Sequence, residues 1–161
     1  MGKRGDLYDV EFVRWTEEQA AALRQAQGSS GGSNLPLDWD NLAEEIESLG
    51  KSDRREFRSH ITRILRHLLK LEVSPAARPR AGWRATIDEA RIEIEGLLED
   101  SPSLQREADV LIKNQIRAAA RLAADDLRLH GEPTKAIEAR LDAGGFTVEQ
   151  VLGDWFPDRP V

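Results

Sequence analysis

The residues that could begin any side-chain chemistry here are three histidines: His60, His67 and His130. His60 and His67 are seven positions apart, a spacing that returns to the same helix face about 10 Å further along the axis, too far for both rings to hold one metal ion. The closer HxxxH pairing does not occur. Glu56 stands one turn before His60 and could share an ion with it, but Glu/His pairs are common on exposed helix faces. His67 with carboxylates from residues 38–50 is the other arrangement. Neither pattern closes a ligand set, so no metal and no cofactor are expected. Nucleophile motifs are also missing from the sequence: there is no GxSxG, Walker loop, GxGxxG or HExxH. Ser59 and His60 are adjacent, which on a helix turns them about 100° apart and denies them a dyad.

Carboxylates and cations carry a sharper expectation. Glu44, Glu45 and Glu47 crowd one segment. On the Trp39, Leu42, Ile46, Leu49 spacing, Glu45 flanks the inward side while Glu44 and Glu47 turn outward. Arg91 flanks a second apolar stripe. A guanidinium held beside a core needs a carboxylate, because an unpaired buried charge costs several kcal/mol. Glu45, His67, Lys70 and Arg91 are therefore expected to form a polar cluster between the second, third and fourth helices. Two readings stand side by side. In one the cluster is an internal ion-pair network that fixes helix register. In the other it is a pocket in which Glu45 acts as base or metal ligand and Arg91 clamps an anion.

The elements that must position these groups are helical throughout. Apolar residues recur at three and four, and alternating β-branched runs are missing from the sequence. A first helix is expected from Asp9 to Gln27, with Phe12, Trp15, Gln19 and Ala22/Leu23 inward. A second follows Asp38 or Asp40 and stops at Gly50, and Ser52 caps a third striped by Phe57, Ile61, Ile64, Leu68 and Leu71. The fourth carries Trp83, Ile87, Ala90, Ile94 and Leu97. Ser101-Pro102 should open a fifth, reaching His130-Gly131, with Leu104, Ala108, Leu111, Gln115, Ala118/Ala119, Leu122 and Leu129 inward. A short helix from Pro133 to about Asp142 and a capping box at Thr147/Gln150 complete the tail. The expected fold is all-α, an antiparallel bundle of four to five main helices in a single domain over 1–161. Residues 28–37, containing GSSGGSN, read as a flexible loop, and 131–161 as a tail packing on the bundle through Trp155-Phe156.

Tryptophans 15, 39, 83 and 155 fall near helix ends, where an amphipathic ring seals a bundle; a ligand-stacking cage is the alternative. Ile92, Ile112 and Ile116 exceed what a two-layer bundle buries and could form a dimer surface or meet the tail.

Charge is segregated along the chain. The 161 residues carry a net charge of −6 with no cysteine, which excludes disulfides, thiolate metal sites and thiol catalysis. Residues 1–50 hold 4 basic and 10 acidic side chains, 51–91 hold 11 and 5, and 92–161 hold 8 and 14. A basic central stretch between acidic neighbours reads first as internal pairing. Nucleic-acid binding is disfavoured: only Phe57 and Trp83 could stack on bases there, and Arg54, Arg55, Arg58, Arg63 and Arg66 do not share one face. No apolar run approaches a membrane span, and the opening MGKRGDLYDVEF has no apolar signal core, so a cytoplasmic protein is expected.

Six segments in order carry a resemblance: LYDVEFVRW at 7–15, DWDNLAEEIESLG at 38–50, HLLK at 67–70, the pattern Trp83, Thr86, Ile87, Arg91, then PSL at 102–104 and VEQVLGDWFP at 148–157. Together they resemble the bacterial helical family known only as domain of unknown function twenty-nine. The resemblance covers nearly the whole chain and implies an α-helical fold. It transfers no activity. Glu45, His67, Lys70 and Arg91 all lie in the resembling segments. Without a catalytic motif, and with surplus apolar faces, the leading expectation is a non-enzymatic helical module that binds a protein partner or a second copy of itself. The alternative is a metal-assisted hydrolase or nuclease built on the Glu45/His67 region.

Overall fold

A computed structural model describes residues 4–29 and 36–160. The loop expected at 28–37 lies largely outside the described residues. Seven α-helices and one 3-10 turn follow in order, and no strand occurs among the described residues: α1 Arg4–Val10, α2 Phe12–Gly28, α3 Trp39–Val73, α4 Arg80–Asp100, the 3-10 turn Pro102–Glu107, α5 Ala108–Leu129, α6 Lys135–Asp142 and α7 Val148–Leu152. The all-α expectation holds. Contacts divide the chain into two compact units, Met1–Glu56 with Leu97–Gln105, and Phe57–Gly96 with Arg106–Val161.

In the first unit, the helix expected from Asp9 is two helices broken at Glu11, whose backbone leaves helical geometry at φ −152°. Glu11 makes no side-chain cap bond. The N–H of Val13, one of the donors a helix start leaves without a partner, goes instead to Ser101 Oγ at 3.0 Å. Ser101 is thus a cap for a helix far from it in sequence. The inward stripe of α2 is Val13, Thr16 and Ala20, not the Phe12/Trp15/Ala22 series. Phe12 and Trp15 sit half-buried at the margin with Tyr8, which meets Trp15 edge-on at 4.8 Å between ring centres. Small residues face inward here because they let two helices approach closely.

The expected stop at Gly50 does not occur. Residues 39–73 form one 35-residue helix. Gly50 lies inside it, and a Cβ added there would sit 2.2 Å from Thr16 Oγ1. Its lack of a side chain admits α2; it does not turn the chain. Leu42 and Leu49, expected inward, are 42% and 50% exposed, while Ala43 is fully buried.

In the second unit, Phe57, Ile61, Ile64, Leu68 and Leu71 are all fully buried, as their spacing predicts. Ile87, Ala90 and Ile94 of α4 join the buried set. Thr62 pairs with Gln115 and Arg66 with Asp126, so this part of α3 and α5 run in the same sense, the result of reversing direction twice. The 3-10 turn replaces the expected first turn of the fifth helix. Along α5 the buried face is Ile112, Ala119, Ala123 and Leu127; Leu122 faces outward and Leu129 is 82% exposed. Ile112, expected as surplus, is core, whereas Ile92 is exposed as its position predicts. The helix closes on Gly131 at φ +68°, with the amides of Gly131 and Glu132 bonded back to Arg128 and Leu127. Thr147 and Gln150 form the expected capping box at α7.

Candidate functional site

The last turns of α3 deliver Arg66, His67 and Lys70 to one side of the second unit. Lys70 is 5% exposed, and its ammonium donates to Asp126 Oδ2 at 2.9 Å. Arg66 donates to the same carboxylate with two nitrogens, Nε to Oδ2 at 2.8 Å and Nη2 to Oδ1 at 2.6 Å. Two cations therefore share one carboxylate. Burial alone would raise the Asp126 carboxyl, but the bonds from Arg66 and Lys70 outweigh it and hold the group at about 2. At neutral pH Asp126 is a fixed counter-charge and a poor base. Burial pushes Lys70 down from its ordinary value, and the bond to Asp126 works against that. The ammonium also lies 4.8 Å from the centre of the Trp83 ring, a cation–π placement at the start of α4.

His67 stands beside this group without joining it. Its Nδ1 lies 2.9 Å from the Arg63 carbonyl, which can only accept, so Nδ1 carries the proton. Burial lowers the His67 pKa first, and the neighbouring Lys70 and Arg66 charges add to that.

Arg66, Lys70, Trp83 and Asp126 help to wall a cavity of about 750 Å³. Its apolar lining is Trp83, Pro75, Pro79, Ala76 and Leu127, and its polar lining is Arg66, Lys70 and Arg78 against Asp126 and Glu132, with His130 beside them. That volume is in the range of small-molecule sites, which combine apolar walls with a few placed polar groups. The segment 74–80 at its rim is tied down from both ends. Ser74 Oγ donates to Glu132 Oε1 and accepts from the Ala76 amide, while Arg80 Nη1 donates to the Leu71 carbonyl at 2.7 Å and the Ser74 carbonyl at 3.3 Å. Two prolines stiffen the same stretch. The cleft is built before anything enters it.

The expected four-residue cluster is distributed differently. Lys70 lines the cleft; His67, three positions before it on α3, does not. Glu45 is exposed in the first unit and shares α3 with His67, twenty-two positions before it, so no seam between a second and a third helix exists for the two to face across. Arg91 is 5% exposed, but its donors serve the tail: Nε to the Val151 carbonyl at 3.0 Å, Nη2 to Gln150 at 3.0 Å and to Trp155 at 2.7 Å. Backbone carbonyls take these hydrogen bonds, and the carboxylate expected beside the guanidinium is Asp88, one turn earlier on α4, with Oδ1 3.7 Å from Nη1. Asp126 is the residue the spacing missed. It falls between Ala123 and Leu127 on the inward side of α5, and a carboxylate in that register signals a buried cation opposite it. Trp83, read mainly as an end seal, lines the cavity.

The family model described as domain of unknown function DUF29 matches residues 7–156. Among solved structures, an α-helical protein of unknown function from Rhodospirillum rubrum ATCC 11170 is similar, with a TM-score of 0.57 and 23% identity over 93% of this chain and 91% of that one. That likeness is one of fold. No curated protein matches the chain. No helix among the described residues is long and apolar enough to cross a membrane.

Proposed function

The chain belongs to the DUF29 family, and we propose that it acts as a non-enzymatic regulatory or protein-interaction module whose working site is the cationic cleft of the second unit. The observation that carries this reading is the convergence of Lys70 and Arg66 on Asp126 at the wall of a cavity of about 750 Å³. One carboxylate cannot use all the donors that two cations offer: an ammonium has three hydrogens and a guanidinium five. The surplus suits an acidic group brought by a ligand. Catalysis is served less well. Asp126 is held ionised at about 2, far from the poise of a general base, and His67 does not line the cavity.

The test is a two-dimensional amide spectrum of the full chain recorded during titration with sodium acetate, inorganic phosphate and, as a control, ammonium chloride at matched ionic strength. The reading expects saturable shifts for the Trp83 indole N–H and the amides of 70, 78 and 127 with the anions, and their loss in Lys70→Met. Shifts that do not saturate, or that ammonium reproduces, would remove it. Metal-dependent hydrolysis of p-nitrophenyl phosphate by the purified chain would favour a hydrolase instead.

A further inference from the structure

The cleft's lining narrows the ligand class further, on the premise that the reading above is right. Its charges are three cations, Arg66, Lys70 and Arg78, against two carboxylates, Asp126 and Glu132. Both carboxylates are already engaged, Asp126 by the two cations and Glu132 by Ser74. What is left is one positive charge, enough to be neutralised by a monoanion and overshot by a dianion. The surplus donors are concentrated at Lys70, a side chain more than nine-tenths buried whose hydrogen-bond acceptor among the described residues is Asp126. An anion reaching it must shed most of its water, which a carboxylate does at less cost than a phosphate dianion.

Apart from His130, the rest of the wall is apolar. Pro75, Ala76, Pro79 and the Trp83 indole line it together with the buried Leu127. An indole set among apolar side chains favours an aromatic body, because aromatic contacts with Trp83 add to simple area burial. We propose that the cleft is a binding site for a small aryl carboxylate, with the carboxylate on Lys70 and Arg66 and the ring between Trp83 and the Pro75–Pro79 rim.

Calorimetric titration of the full chain with indole-3-acetate, phenylacetate, acetate, inorganic phosphate and tryptamine separates the parts of this claim. The two aryl carboxylates should bind about tenfold or more tightly than acetate, because burying a ring adds apolar area that the head group lacks. Tryptamine, with the same ring and the opposite charge, should not bind measurably. Lys70→Met should weaken indole-3-acetate at least about tenfold and Arg78→Ala about two- to threefold; Arg78 is exposed, so that variant keeps the fold if Lys70→Met does not. Acetate or phosphate binding as tightly as indole-3-acetate would overturn the aryl class and leave an anion site. No binding by any anion would overturn both. Tight indole-3-acetate binding unchanged in a folded Lys70→Met or in Arg78→Ala would place the ligand elsewhere and overturn the assignment.

Discussion

A Cβ on Gly50 would stand 2.2 Å from Thr16 Oγ1, and that single distance explains why α3 carries a glycine in its interior. Glycine there costs roughly 1 kcal/mol of helix propensity against alanine. The close approach of α2 more than offsets it, with Thr16 fully buried and its hydroxyl donating to the Val13 carbonyl at 2.6 Å. Gly50→Ala should therefore destabilise the chain by about 2 kcal/mol despite the better propensity of alanine. Thr16→Ala in the same chain should recover part of the loss. Urea denaturation of the two single variants and the double variant measures the coupling, and additive losses would mean the two positions do not meet.

Ser101 sits at the other side of the same helix start. Its oxygen accepts the Val13 N–H, and it is fully buried. Ser101→Ala leaves that amide with no acceptor and should cost about 1–2 kcal/mol. Exchange of the Val13 amide with deuterium should quicken more than exchange of amides in mid-α2. A loss confined to α5, with Val13 protection unchanged, would restore Ser101 to the local cap role its sequence position suggests.

These two residues mark where the sequence is legible. The stripe Phe57, Ile61, Ile64, Leu68, Leu71 and the stripe Ile87, Ala90, Ile94 can be read directly, because their mainly large apolar side chains at three and four do form the buried core there. The seams at Val13/Thr16/Ala20 and Ala119/Ala123 cannot. Alanine, threonine and glycine carry little hydropathy, and what selects them is the closeness of a neighbouring helix that no local pattern records. The same blindness moves the second half of the α5 stripe off Leu122 and Leu129. It also hides Asp126, whose inward register shows only once Ala123 and Leu127 are known to face in. At the cleft, Lys70 is legible as a site residue and Trp83 as the ligand-stacking alternative. The acceptors for Arg91 are not, because they are main-chain carbonyls and every residue has one.

The Asp126 carboxyl gives stability a defined acid limb. Its pKa falls from 3.8 to about 2 on folding. A group depressed in this way stabilises the fold fully above about pH 4, and the contribution disappears as pH falls toward 2. Allowing for its partial exposure, that limb is worth about 1–2 kcal/mol. Asp126→Asn should be less stable at pH 7 and show a flattened decline between pH 4 and 2. His67 works in the same sense at a higher pH: burial lowers its pKa from 6.5, so stability should fall as pH drops below that value, and His67→Gln should flatten only that part of the curve. Urea midpoints at pH 7.5, 5.5, 4 and 2.5 separate the two windows.

Arg91 is the hinge between α4 and the tail. A helix as short as α7 ends with carbonyls its own backbone cannot satisfy, and the Arg91 fork collects those of Gln150 and Val151 together with that of Trp155 beyond it. Phe156 covers the same guanidinium, its ring centre 4.8 Å from Arg91 Cζ and 4.1 Å from Arg84 Cζ. Arg91→Met keeps most of the stem's volume but deprives three carbonyls of a charged donor, and should cost about 3 kcal/mol. Arg91→Lys keeps the charge without the planar fork and should recover less than about half of it. Deuterium exchange locates the effect: amides 148–156 should lose protection first, while those of the Phe57–Leu71 core follow only the global change. Uniform acceleration through the second unit would show that Arg91 supports the core as a whole, and the tail would then be held by its aromatic residues.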